Sequence, residues 1–311
     1  MQLYYCKYPD GRQNFGDALN PWMWQQLLPD IINDVEDGVT FVGIGTLINE
    51  ALPRRTSNAK KRVIFGTGAG FPGSEYKSMP EIDDSYAIYS LRGPLSAKAL
   101  QVSDSLAITD GAILVRRLFD YHQPKKYHFS YMPHYNFAGE GWAQVCQNLG
   151  FGYIDPSSPV EESLALISQT EILLTEAMHG AILADAFRVP WIPIKTDPSI
   201  VDFKWQDWCL SVGVEYQPVS MSRYHQPRGT SGGWSKTDLS SKDLILKPVR
   251  QVRDWYRQKQ VMSEFSKIVQ TVKPTLSKND RTEQLTRQTE EKLEQFKQDV
   301  QEGKFKVYSE L

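Results

Sequence analysis

Short apolar runs alternate with stretches of helical spacing through the first two thirds of the chain. Such runs, bounded by Gly, Pro, Asn or Asp, read as buried strands, and the helical spacing between them predicts crossover helices. Strands are predicted near 2–8, 40–44, 62–66, 86–91 and 106–109. Leu19–Leu28 carries helical spacing, and Pro94–Leu100 opens with proline in the first turn, where its missing N–H costs nothing. The polar stretch "DYHQPKK" at 120–126 breaks the pattern and predicts a domain boundary.

A second series follows. Strands are predicted at 127–135, 152–155, 171–175 and 190–194, with helices at Gly141–Leu149, Val160–Ser168 and Gly180–Phe187 and a short helix at 202–208. The alternation predicts an α/β fold of two domains, 1–122 and 123–224, facing each other across a cleft. Residues 225–311 then form a loop and a helical C-terminal extension. The Gly- and Ser-rich segment 225–240 reads as a mobile loop, followed by helices near 240–272 and 278–302. The last helix is highly charged with few large apolar residues, so it is expected to be exposed, to bury little and to be dispensable for catalysis.

Composition narrows the classes. Thirty-five basic residues against 37 acidic ones give a net charge of −2, which offers no basic field for nucleic acid. Cys6, Cys146 and Cys209 are far apart without C-x-x-C spacing, which argues against a disulfide framework or zinc site and fits a reducing compartment. The N-terminus lacks a basic segment followed by an apolar one, and no apolar run approaches the ~20 residues that span a bilayer. A cytoplasmic protein is expected. No two histidines stand four apart, so no metal site is expected.

Ligands of open α/β sheets sit outside the carboxyl ends of the strands, so chemistry is sought there. Asn14, Gly16 and Asp17 follow the first strand, Gly45 and Thr46 the second, and Gly68 lies in "GTGAG" after the third. Arg92 follows the fourth and Asp110 the fifth. The glycines fit tight turns or close approach of the backbone to a ligand, but match no dinucleotide fingerprint. Arg92, between a strand end and a proline-initiated helix, reads as a rim salt bridge or an anion clamp rather than core. His134 follows a strand of the second series, and Lys204 lies in "DFKWQDW", whose tryptophans read as packing or as sugar platforms. His179, in "TEAMHGAILADAF", falls in the first turn of a helix just past a strand end. There the helix dipole favours the neutral imidazole, and the residue reads as a general acid–base group or as a packed histidine.

Taken together, "NFGDALNPWMW", "GIGTLIN", "FGTGAGF", "SLRGPLSAKAL", "ITDGAIL" and "TEAMHGAILADAFRVPWIPI" with "FKWQDW" resemble the polysaccharide pyruvyl transferase family, in its exopolysaccharide ketal-pyruvate branch. The resemblance runs over about 1–215 and implies a GT-B-like pair of Rossmann-type domains. It implies transfer of pyruvate from phosphoenolpyruvate to a carbohydrate acceptor, either free or lipid-linked and then met at a membrane surface, with no cofactor. Much of the family resembles S-x-R-L-H-G at the histidine. Here Ala177 stands where that arginine would be, leaving anion binding to Arg92, helix starts, Lys204 or Lys195. On this reading His179 protonates the donor or deprotonates the sugar. Asp17, with Glu176 and Asp110 behind it, takes the hydroxyl proton or holds the sugar. Arg92, Asn14, Gly45, Thr46, Gly68, Asp110, His134 and Lys204 bind substrate. The rival readings are a nucleotide-sugar glycosyltransferase and a non-catalytic glycan-binding protein.

Overall fold

A computed structural model describes residues 1–8, 11, 13–33, 35–70, 78–224 and 241–305, with the side chains of 241–252 left out. The expected loop 225–240 lies outside the described residues. Two parallel sheets carry the chain. The first has four strands in sequence order: β1 (Gln2–Tyr4), β2 (Val39–Val42), β3 (Lys61–Thr67) and β4 (Tyr86–Leu91). The second has five, in the order β6 (Gly152–Tyr153), β5 (Tyr127–Met132), β7 (Thr170–Thr175), β8 (Trp191–Lys195), β9 (Val219–Ser220). Every pairing between these strands is parallel, so crossover helices cover the faces: the apolar runs of β2, β3 and β7 are buried because both sides are roofed.

The helices are α1 (Phe15–Leu27), α2 (Leu52–Arg55), α3 (Pro94–Leu100), α4 (Glu140–Leu149), α5 (Val160–Ser168), α6 (Met178–Ala186), α7 (Asp202–Val212), α8 (Ser241–Thr271) and α9 (Asn279–Gln301). The sequence pattern locates most of them to within a few residues. It misses α2 and β9, each too short to show a period. It also misreads 106–109: that segment makes one bridge, Leu91 to Ala107, and the chain then enters 3₁₀ turns at Asp104–Leu106 and Gly111–Arg117. Asp110 is the reason for the second turn, since its side chain accepts the N–H of Ala112 at 3.0 Å and caps it.

One apolar core joins the two sheets. Trp24, Phe41 and Phe65 of the first half belong to the same buried cluster as Ile182, Trp191, Trp205 and Trp208 of the second. Helix α6 is the centre of that junction. Apart from His179 all its residues are buried, which suits a helix apolar on every side. Asp185 within it accepts the N–H of Ser277 at 2.9 Å and the indole N–H of Trp191 at 3.1 Å, tying the link between α8 and α9 to the core.

The exposed appendage expected at the C-terminus is not what forms. Helix α9 lies on the first sheet with Leu285, Leu293 and Phe296 buried, and Phe296 packs against Phe41 and Tyr89. Tyr89 donates to Asp299 at 2.5 Å, and Arg116 pairs with Glu283 at 2.7 Å. Residues 275–305 are therefore part of the fold: the start of the segment is bound to the second half, and α9 packs on the first sheet.

Candidate active site

A cavity of about 630 Å³ opens where the carboxyl ends of both sheets converge. Its walls come from the segments after β1, β2, β3, β5, β7 and β8, as the strand-end rule for parallel sheets requires. Asn14, Asp17, Gly45, Thr46, His134, His179 and Lys204 all line it. The structure thus gathers on one cavity seven residues that are spread over 190 positions of sequence, Asn14 to Lys204.

Helix α1 starts at this cavity because the second half holds its first turn: the N–H of Phe15 donates to the carbonyl of Pro156 at 2.7 Å. Its next residue, Gly16, sits against His179, and a Cβ there would overlap Nδ1 of the imidazole. The ring lies between Gly16 and Asp110, with Nε2 at 3.8 Å from Asp110 Oδ2. Burial, then the charges of Lys204 and Arg92, lower the His179 pKa to about 3. The imidazole is neutral and its side chain is 13% exposed. This is the neutral form that the start of a helix favours.

Asp17 and Lys204 supply the opposite charges. Asn14 Nδ2 donates to Asp17 Oδ2 at 2.7 Å, and Tyr8 donates to the same carboxylate. Burial nevertheless outweighs these bonds and the attraction of Lys204, and raises Asp17 to about 6. Lys204 is lowered to about 8, first by burial and then by Arg92, with Asp17 opposing. Its ammonium makes no hydrogen bond to the described residues and is available to an anion in the cavity.

Five of the expected site residues lie elsewhere. Arg92 is fully buried and does not reach the cavity. Its Nε donates to Asp207 Oδ2 at 3.0 Å, and Nη1 donates to Gly45 O at 3.2 Å and Thr46 Oγ1 at 2.9 Å. Asp207 also accepts the N–H of Ser96 at 3.0 Å, so α7 docks on the start of α3 and Arg92 fastens the two halves together. Gly68 is no ligand contact; a Cβ there would overlap the Arg92 guanidinium, so its lack of a side chain makes room for the pair. Glu176 is fully buried behind the wall, where it accepts from Tyr131 (3.0 Å), the N–H of His134 (3.1 Å) and the N–H of Thr196 (2.9 Å). It joins the ends of β5, β7 and β8 rather than touching substrate. Asp110 is likewise fully buried, below His179. Lys195 is held by Asp202 at 2.6 and 2.7 Å.

Tyr8, Arg55, Tyr135, Asn136 and Ser199 line the cavity although no motif signalled them, and Asn49, the last residue of "GIGTLIN", joins them. Arg55 ends the four-residue α2, whose brevity hid its position. Among the described residues no group of three or more His, Cys, Asp or Glu is placed to hold a metal, and no helix is long and apolar enough to cross a membrane.

A strand-end cavity between two parallel sheets, lined by a neutral histidine and the ammonium of Lys204, is suited to group transfer. The model of the polysaccharide pyruvyl transferase family matches residues 14–198, and the chain belongs to that family. It is 40% identical over 222 residues to the succinoglycan biosynthesis protein ExoV of Rhizobium meliloti (strain 1021), covering 70% of this chain and 67% of that one. No solved structure matches.

Proposed function

We propose that the enzyme transfers pyruvate from phosphoenolpyruvate to two hydroxyls of a sugar in an exopolysaccharide, or in its lipid-linked repeat unit, forming a ketal. The observation that carries this reading is the uncommitted ammonium of Lys204 on the same cavity as His179 and Asp17. The finer architecture we read as GT-B-like. One Rossmann-type unit is 1–122 with α9 added, and the other is 123–224 with α8. We place its action in the cytoplasm, since three cysteines far apart in sequence without C-x-x-C spacing suit a reducing compartment.

The balance of the reaction assigns the roles. The methylene of the donor gains a proton and becomes methyl, while C2 becomes cationic. Two hydroxyls add to C2 and lose their protons, one replacing the first and the other leaving with inorganic phosphate. A neutral histidine with its pKa near 3 accepts protons rather than donating them, so His179 is the base toward the hydroxyl. Asp17, raised to about 6, is the better proton donor to the methylene, and His179 takes the second of the two directions that the sequence left open. Lys204 neutralises the carboxylate or phosphate, and the fully buried Arg92 adds positive potential from below.

The test is phosphate release from phosphoenolpyruvate against a panel of glycans and lipid-linked oligosaccharides, with wild type and His179→Ala. Release that needs an acceptor and falls about 10²–10⁴-fold in the variant is expected. Thermal stabilisation by nucleotide sugars with no phosphate release would point to a glycosyltransferase instead.

A further inference from the structure

Below the cavity two buried polar atoms face each other, and neither has a hydrogen-bond partner among the described residues: Nε2 of His179 and Oδ2 of Asp110. They are 3.8 Å apart. The orientation of the carboxyl group is not free. Its Oδ1 is committed to the N–H of Ala112, at 3.0 Å, as the cap of the turn Gly111–Arg117. With one oxygen fixed by the cap, the other is held toward the imidazole. The ring is fixed too, because Gly16 leaves room for it and nothing larger would. Its other nitrogen, Nδ1, lies on the Gly16 edge, and both His179, 13% exposed, and Gly16 line the cavity.

We propose that Asp110 is a positioning residue for His179: Oδ2 accepts the Nε2–H of the imidazole, fixes that tautomer and leaves the Nδ1 lone pair directed into the cavity. The inference rests on the reading of His179 as the base of the transfer. The opposite tautomer would set two acceptors against each other in a buried space, a cost of the kind that unsatisfied buried groups carry. Closing the gap to hydrogen-bond length takes a movement of about 1 Å, and such contacts tighten when a site fills. As the imidazole takes up the hydroxyl proton, the carboxyl group beneath it balances the new charge and keeps the ring aligned. The charged groups acting on Asp110 are Arg92 and Asp207, with opposite signs. Burial is the largest influence and raises its pKa to about 7, so the carboxylate that accepts the Nε2–H is the form present above that pH, where the tautomer is to be read.

Asp110→Asn tests this without removing the cap. The Asn oxygen must still face the N–H of Ala112, so the amide NH₂ replaces Oδ2 opposite Nε2. Two donors cannot face each other, and the ring must switch to the Nδ1–H tautomer. Nitrogen-15 spectra of histidine-labelled protein read the tautomer directly, and the five histidines are few enough to assign His179 by its loss in His179→Gln. Expected are a proton on Nε2 in the wild type, a proton on Nδ1 in Asp110→Asn, an unfolding temperature close to wild type, and kcat lowered about 10²–10⁴-fold with KM changed less than about two-fold. A wild-type Nδ1–H tautomer, an unchanged tautomer in the folded variant, or a folded variant with wild-type kcat would each overturn the proposal. If the variant does not fold, the wild-type tautomer alone decides. An Nε2–H tautomer in a protein that transfers no pyruvate supports the pairing and faults only the reading of the reaction.

Discussion

The imidazole of His179 occupies the space that a side chain on Gly16 would need. Residues 163 positions apart, 179 − 16, thus share one volume, and the start of α1 and the start of α6 are brought together by it. Gly16→Ala should therefore displace the imidazole or the first turn of α1. Overpacking of this kind costs about 1–3 kcal/mol of stability. The larger effect should be on kcat, down about 10²-fold or more, because a misplacement of about 1 Å can cost that much. Turnover at the wild-type level in a folded Gly16→Ala protein would show that the ring has freedom the packing denies.

The pH profile of kcat/KM separates the roles of Asp17 and Lys204. If Asp17 donates a proton, activity should fall as pH rises through about 6, since the acid form is lost. It should fall more steeply through about 8 as Lys204 loses its charge. Lys204→Arg should remove the limb near 8, because a guanidinium stays charged. Asp17→Asn, slow as it will be, separates the limb near 6 from the donor phosphate, which also ionises near pH 6. Activity that instead rises through pH 6 would make Asp17 the base.

Lys204 also links function to stability. Its folded pKa of about 8 lies below the usual lysine value of 10.5, so between these the unfolded chain holds the extra proton. The contribution of this group to stability therefore rises with pH from about 8 to about 10.5, and below 8 the buried charge is a cost. Lys204→Met should raise the unfolding temperature at pH 7 while raising the donor KM on the order of ten-fold or more. Differential scanning calorimetry beside donor-saturation kinetics measures both, and a lower unfolding temperature would contradict the sign.

Arg92 should behave as a structural residue. Breaking a buried pair leaves its partner uncompensated and costs about 3–5 kcal/mol. Arg92→Met is expected to lose stability on that scale in urea unfolding, and Asp207→Asn to lose less because an amide still accepts from Ser96. A folded Arg92→Lys protein with unchanged stability and a raised donor KM would restore the anion-clamp reading.

Phe296→Ala should cost about 3–5 kcal/mol, as for other buried aromatics. Deletion of 275–311 should leave the first sheet unable to fold stably. Circular dichroism and thermal melts of the shortened chain check this, and a folded, active 1–274 would return α9 to the status of an appendage.

The sequence by itself determined the strand-and-helix order, the α/β class, the family, and the strand-end positions of His179, Asp17 and Lys204. These rest on local patterns: runs of apolar residues, turn residues at their ends, and motifs of consecutive positions. Tertiary structure decided which charges line the cavity. Arg92 and Glu176 share the strand-end address of His179, yet both are buried. Their partners lie far along the chain: Asp207 is 115 residues from Arg92, and Tyr131 is 45 from Glu176. The same holds for α9, three of whose seven buried residues are threonines. Thr282, Thr286 and Thr289 return their hydroxyls to carbonyls four residues back, so they pack as small apolar groups while counting as polar in the sequence. Burial of a polar side chain depends on a partner that only the folded chain supplies, and no local pattern carries that information.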